Sequence, residues 1–139
     1  MNKGLTLDQL SMGQTHQSKC TVTQEMVEEF AKATGDHNPI HLDESYARGT
    51  VFRARVAHGM LLAGILSGVL GMQFPGVGTI YLSQSLKFVK PVFLGDEVTW
   101  HIKVVELLKE RNRARLETVC ANQRGETVLT GEALVMPPA

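Results

Sequence analysis

Apolar and polar positions follow two different rhythms along this chain. Between Gln24 and Gly35, Met26, Val27, Phe30, Ala31 and Ala33 recur at helical spacing opposite Glu25, Glu28, Glu29 and Lys32, which predicts an amphipathic helix with one face on a core. Thr21 or Thr23 offers its N-cap and Gly35 its stop. Ahead of it, His16 to Val22 alternates weakly and reads as a first strand. From Ile80 onward the period is two. Ile80, Leu82, Leu86 and Phe88 share one face, and Val98, Trp100, Ile102 and Val104 alternate with Thr99, His101 and Lys103. Ala114, Leu116, Thr118 and Cys120 follow, and then Val128, Thr130, Leu134 and Met136 stand opposite Leu129, Ala133 and Val135. Leu94-Gly95-Asp96 and Gln123-Arg124-Gly125-Glu126 look like hairpin connectors. Four consecutive strands on short turns predict an antiparallel meander.

The middle of the chain breaks both rhythms. Residues 36–57 open on the turn-forming Asp36-His37-Asn38-Pro39, allow one short helix near Asp43 to Arg48, and otherwise show no period. Such a stretch inside a small domain is more often functional than accidental. After it, Gly59 to Gly71 is apolar on every side and predicts a helix buried all round. It carries Gly64 and Gly68 one turn apart, at ~1 kcal/mol each against Ala, which suggests close approach of a backbone or a ligand. An antiparallel sheet curved about this helix supplies most of its cover. The fold class read from the pattern is therefore α+β, a hot-dog: an antiparallel sheet wrapped around a central buried helix. One such sheet leaves part of the helix uncovered and its own edges open, so a homodimer is the expected completion.

Composition changes this picture only by exclusion. With 139 residues and 43% hydrophobic content, the chain reads as one domain, residues 1–139, with no internal repeat or linker. Fourteen basic residues balance fourteen acidic ones, so no surplus charge steers it to nucleic acid or anionic lipid. The greasiest stretch, Gly59 to Met72, is shorter than the ~20 residues a membrane span needs. The N-terminal residues lack a signal-like apolar core, and Cys20 and Cys120 form no CxxC motif. The expectation is a soluble, cytoplasmic protein with free cysteines.

Candidate chemistry gathers in the irregular segment, which holds or adjoins three of the five histidines. His16 and His101 fall in strand patterns and read as surface or structural groups, as His37 does beside its turn. In Gly35-Asp36-His37-Asn38-Pro39-Ile40-His41, the proline fixes its own φ and pushes Asn38 to extended backbone. A loop so kinked can bring Asp36 and His41 together, and a carboxylate beside an imidazole can share acid and base duties at neutral pH. Taken singly, Asp36 and Asn38 read as turn residues and His41 as an ordinary histidine; the combination favours a site. His58-Gly59 stands at the mouth of the apolar helix, where unpaired N–H groups and the helix dipole favour negative charge. Gly59 either merely starts the helix or leaves its amide bare for a ligand oxygen. Ser67, within the helix, reads locally as a serine bonded back to its own backbone. Asp36, His41 and His58 are metal-ligand types, but no recognised metal spacing appears, and the reading is no metal.

Gly35-Asp36-His37-Asn38-Pro39-Ile40-His41-Leu42-Asp43 with Ala47 resembles the hydratase 2 motif of the MaoC-like (R)-specific enoyl-CoA hydratases. Ala57-His58-Gly59-Met60-Leu61-Leu62-Ala63, and Ile80 to Phe88 with Pro91-Val92, are similar to the same family, in matching order from about residue 8 to residue 137. The resemblance implies a hot-dog homodimer that adds water to trans-2-enoyl-CoA, giving (R)-3-hydroxyacyl-CoA, with no cofactor beyond the coenzyme A of the acyl-CoA thioester substrate. By position it makes Asp36 and His41 the acid–base pair and Gly59 the amide donor to the thioester oxygen. Asn38 then braces the loop and Ser67 lines the site. Supply of polyhydroxyalkanoate monomers, fatty-acid breakdown and another dehydration step are all compatible with it. Lys87, Lys90, Arg111 and Arg113 are unranked candidates for the coenzyme phosphates. The alternatives are a hot-dog acyl-CoA thioesterase, disfavoured because residues 59–72 contain no Asp, Glu or His, and a non-catalytic acyl-CoA binding module.

Overall fold

A short strand, β1 (Thr15–Thr21), leads into α1 (Gln24–Thr34), capped by the Thr23 side chain, which accepts from Met26 N–H at 3.1 Å. The computed structural model describes residues 2–139. Helix α1 ends at Gly35, whose φ of 82° lies in the left-handed region that favours glycine. Two short helices follow, α2 (Pro39–Leu42) and α3 (Glu44–Arg48), and then the long α4 (Gly59–Met72). The remainder is strand: β2 (Ile80–Gln84), β3 (Lys87–Phe88), β4 (Glu97–Leu108), β5 (Arg113–Ala121) and β6 (Thr127–Met136).

All pairings are antiparallel, in the order β1-β4-β5-β6-β2, with β3 also on β6. The expected four-strand meander is thus only half right. Strands β4, β5 and β6 form one, but β2 and β3 join the far edge against β6. Residues 89–96 do not make a hairpin; they cross the structure. Val92 O accepts from Ala57 N–H at 2.7 Å, and Gly95 N–H and Asp96 O bond to Val22 at 2.7 and 2.8 Å. Alternation reports which face a residue occupies but not which strand lies beside it, so this crossover left no mark in the pattern.

Helix α4 lies against the concave face of the sheet. Leu61, Leu62, Leu66, Val69 and Leu70 pack on Val98, Trp100, Ile102, Leu116, Leu129, Ala133 and Val135 in one buried cluster. Trp100 Nε1–H donates to Leu62 O at 3.1 Å, pinning helix to sheet. The architecture is the hot-dog. Its helix is not covered all round, however. Met60, Gly64, Ser67, Gly68 and Met72 are exposed along one stripe, and Ile80, Leu82 and Phe88 are exposed beside it. Burial pushes the Cys120 thiol up to about 12 and raises that of Cys20, and both cysteines are unlinked.

Candidate active site

Residues 36–41, the kinked loop expected to bring Asp36 and His41 together, are organised by their own polar groups. Asp36 N–H bonds to Thr34 Oγ1 at 3.2 Å, and Asp36 Oδ1 accepts from Asn38 N–H at 3.3 Å. Asn38 then caps α2, its Oδ1 accepting from Ile40 N–H at 3.3 Å, while Pro39 occupies the first helical turn. One turn of helix is therefore what carries His41 back toward Asp36. Asn38 holds both ends of that device.

The His41 ring is fixed from the other side. Its Nδ1 lies 2.7 Å from Val56 O. A carbonyl only accepts, so Nδ1 carries the proton and Nε2 is left as the bare, basic nitrogen. Arg55 Nε–H donates to His41 O at 2.8 Å, and Val56 N–H to Ile40 O at 3.3 Å, lacing residues 55–56 to α2.

A third residue completes the group. His58 is 2% exposed, its Nε2–H donates to Asp36 O at 3.0 Å, and its ring stacks on His41 with centroids 3.8 Å apart and planes 28° from parallel. Phe30 of α1 covers the His58 ring at 4.7 Å. Burial lowers the His58 pKa from its usual 6.5, opposed by the hydrogen bond to Asp36. In the sequence His58 stands at the helix mouth and shares only a ligand-type side chain with Asp36 and His41. Only the folded chain stacks residues so far apart in sequence.

A carboxylate oxygen of Asp36 and one ring nitrogen each of His41 and His58 lie within 4.8 Å of one another, the only such metal-capable cluster among the described residues. Rings stacked nearly face to face direct their in-plane lone pairs along similar planes, not inward on a common point. That geometry suits a water held between Asp36 and His41 better than a chelated ion, since one water bridges such a span with two hydrogen bonds of ~2.8 Å.

These groups open on a cavity of about 450 Å³ lined by Asp36, His41, His58, Gly59, Phe88 and Lys90, among others. Gly59 is the first residue of α4, so its N–H has no partner within the helix. The Phe88 ring lies over it: a Cβ built on Gly59 would stand 2.6 Å from Phe88 Cδ1. Asp36 also lines a second hollow of about 710 Å³ with Phe30, Met60, Ala63, Gly64, Tyr81 and Gln84. The structure thus brings Asp36, Asn38, His41 and Gly59 together. Ser67 lines neither cavity. Eight residues along α4 from Gly59 it is ~12 Å away along the axis, on the exposed stripe.

Two of the four cation candidates now separate. Lys90 lines the first cavity, paired to Glu126 at 2.7 Å, while Arg111 lines a depression at the β4–β5 turn. Lys90, Asn122 and Arg124 together hold the Glu126 carboxyl down to about 2. Asn122 Nδ2–H and Arg124 Nε–H each donate to Glu126 Oε1 at 2.9 Å, independently of Lys90.

The family model described as "MaoC like domain" matches residues 8–127. The chain is 46% identical over 134 residues to the 3-hydroxybutyryl-CoA dehydratase of Methylorubrum extorquens, covering 96% of this chain and 85% of that one. It is 49% identical over 109 residues to the (R)-specific enoyl-CoA hydratase of Aeromonas caviae, 78% of this chain and 81% of that one. Among solved structures, an unliganded R-hydratase from Pseudomonas aeruginosa superposes with a TM-score of 0.93 at 40% identity, over 97% of this chain and 86% of that one.

Proposed function

The chain belongs to the MaoC-like domain family, and from that premise we propose that it is an (R)-specific enoyl-CoA hydratase, adding water to trans-2-enoyl-CoA and reversing the step as a dehydratase. The observation that carries the reading is the Asp36 carboxylate held beside the His41 ring, on the same cavity as the free amide of Gly59.

The chemistry makes three demands. The thioester withdraws electrons from the double bond, so water attacks C3 while negative charge gathers on the thioester oxygen. A base must take the water proton, an acid must deliver one to C2, and a donor must hold the enolate oxygen. Asp36 and His41 Nε2 hold the water between them and exchange its proton; Gly59 N–H meets the oxygen. Hydroxyl to C3 and hydrogen to C2 both come from one water, so the equation balances with water and enoyl thioester alone. Lys90 is the cation best placed for the coenzyme phosphates.

Crotonyl-CoA incubated with the protein should lose its enoyl absorbance without releasing thiol. Thiol release would make it a thioesterase, and no change in either signal would favour a binding module.

A homodimer completes this reading. What supports it is the exposed stripe on α4, with Met60 and Met72, beside the edge strand β2 with its exposed Ile80 and Leu82, a contiguous apolar face of the kind that marks an interaction surface. The part assigned to Ser67 depends on that second copy, since one chain leaves its hydroxyl outside both cavities. Sedimentation equilibrium at micromolar concentration should give twice the chain mass of 15.3 kDa; a stable monomer would overturn the assembly. Among the described residues, no helix is long and apolar enough to cross a membrane.

A further inference from the structure

The chemistry proposed above leaves His58 without a part. His58 is buried at 2% exposure, and its Nδ1 has no hydrogen-bond partner. It nevertheless contacts both members of the acid–base pair, through the Asp36 carbonyl and through the face of His41. A buried polar atom without a partner is costly and calls for an explanation. Phenylalanine would fill the same space against Phe30 with no unpaired nitrogen, so packing alone does not account for an imidazole here.

We infer that His58 is a positioning residue that acts as a neutral, Nε2-protonated imidazole, tethering the backbone of Asp36 and backing the ring of His41 so that the two stay in register. The inference rests on the hydratase reading. The Nε2–H donor is fixed by its carbonyl acceptor, as in His41. The bare Nδ1 follows from neutrality: a second proton there would be buried without an acceptor. It would also place a cation face to face with the ring that must carry a proton during turnover. The titratable groups around His58 are His41 on α2 and Asp36 and His37 in the preceding turn. Asp36 favours the cation, the two histidines oppose it, and burial outweighs the rest. The sign is therefore definite. The neutral form is present above the ordinary imidazole range, and His58 charges only as pH falls below 6.5.

Two substitutions divide the roles. His58→Phe keeps the ring against Phe30 and His41 but removes the donor. His58→Gln restores an N–H near the Nε2 position without a titrating ring. In crotonyl-CoA hydration His58→Phe should lose about 10²-fold in kcat, the scale of a small misplacement of catalytic groups, with KM little changed. His58→Gln should recover at least about tenfold of that loss. Long-range proton–nitrogen NMR of the unmodified protein should show His58 neutral and Nε2-protonated at pH 7, charging below pH 6.5 in step with an acid-side fall in kcat. That limb should shift in His58→Gln. Wild-type kcat in His58→Phe, no recovery in His58→Gln, or a charged His58 at neutral pH would each overturn the inference. Should His58→Phe not fold, an unshifted acid limb in His58→Gln overturns it and a shifted one supports it. A wild-type protein that leaves crotonyl-CoA unchanged instead brings down the hydratase reading, and the inference with it.

Discussion

Asp36→Asn should fold normally and hydrate crotonyl-CoA at least ~10²–10⁴-fold more slowly, the usual span for a positioned acid or base. The substitution suits the site because the proposed mechanism gives the Asp36 carboxylate two distinct jobs. One oxygen accepts from Asn38 N–H, which an amide oxygen does equally well, so the turn and the α2 cap survive. The negative charge that draws a proton from water does not. His41→Ala should cost a similar factor but is a blunter change, since it also strips the partner from Val56 O and uncovers one face of His58. His41→Asn keeps a donor near the Nδ1 position and removes the base at Nε2. It separates loss of chemistry from loss of support, and should be as inactive as His41→Ala but more stable. The double variant Asp36→Asn/His41→Asn should be little worse than the poorer single one, because groups acting as a unit do not add. Thermal melts and initial rates on the same preparations decide it. A folded Asp36→Asn protein with near-normal turnover would return the loop to a structural turn, and the mechanism would fall with it.

Particular residues show what could and could not be read in advance. The α1 boundaries were legible because cap, apolar stripe and left-handed stop are all local: Thr23, Met26 to Ala31, and Gly35. The buried faces of β4 and β5 were legible for the same reason, as alternation is a property of one strand. Pairing is not, which is why β2 and β3 were set beside β4 when they lie on β6. Ile80, Leu82 and Phe88, which the alternation puts on one face, are exposed in this chain. Alternation marks a shared face but does not say whether that face meets the chain's own helix.

The site divides along the same line. Asp36, Asn38, Pro39 and His41 are near neighbours in sequence, so their spacing carried the geometry that the Asn38 cap and one helical turn enforce. His58 reaches Asp36 across 22 residues, and Phe88 reaches Gly59 across the fold. Neither contact has a local signal. The hints to His58 are its position directly before a helix with a bare glycine amide and its ligand-type side chain shared with Asp36 and His41.

That amide yields the second large effect. Gly59→Val should reduce hydration of crotonyl-CoA by ~10²–10³-fold, the cost of losing one oxyanion donor. The structure also sharpens what the experiment must separate. A Cβ at Gly59 points into the Phe88 ring, 2.6 Å from Cδ1, so valine both crowds the amide and displaces the aromatic wall of the cavity. The atoms that Cβ meets belong to the Phe88 side chain and not to backbone, so the ring can give way and the fold should survive. Phe88→Ala alone removes the wall and leaves the amide free; its loss should appear chiefly in KM, because a side chain that only confines the substrate contributes the same binding to ground and transition states. In Gly59→Val/Phe88→Ala the steric conflict is relieved but the valine methyls still flank the N–H. If Gly59 acts through its amide, the double variant remains as slow in kcat as Gly59→Val. Recovery of kcat to the level of Phe88→Ala would mean that the glycine exists only to make room for the ring, and the thioester oxygen would then need a different donor.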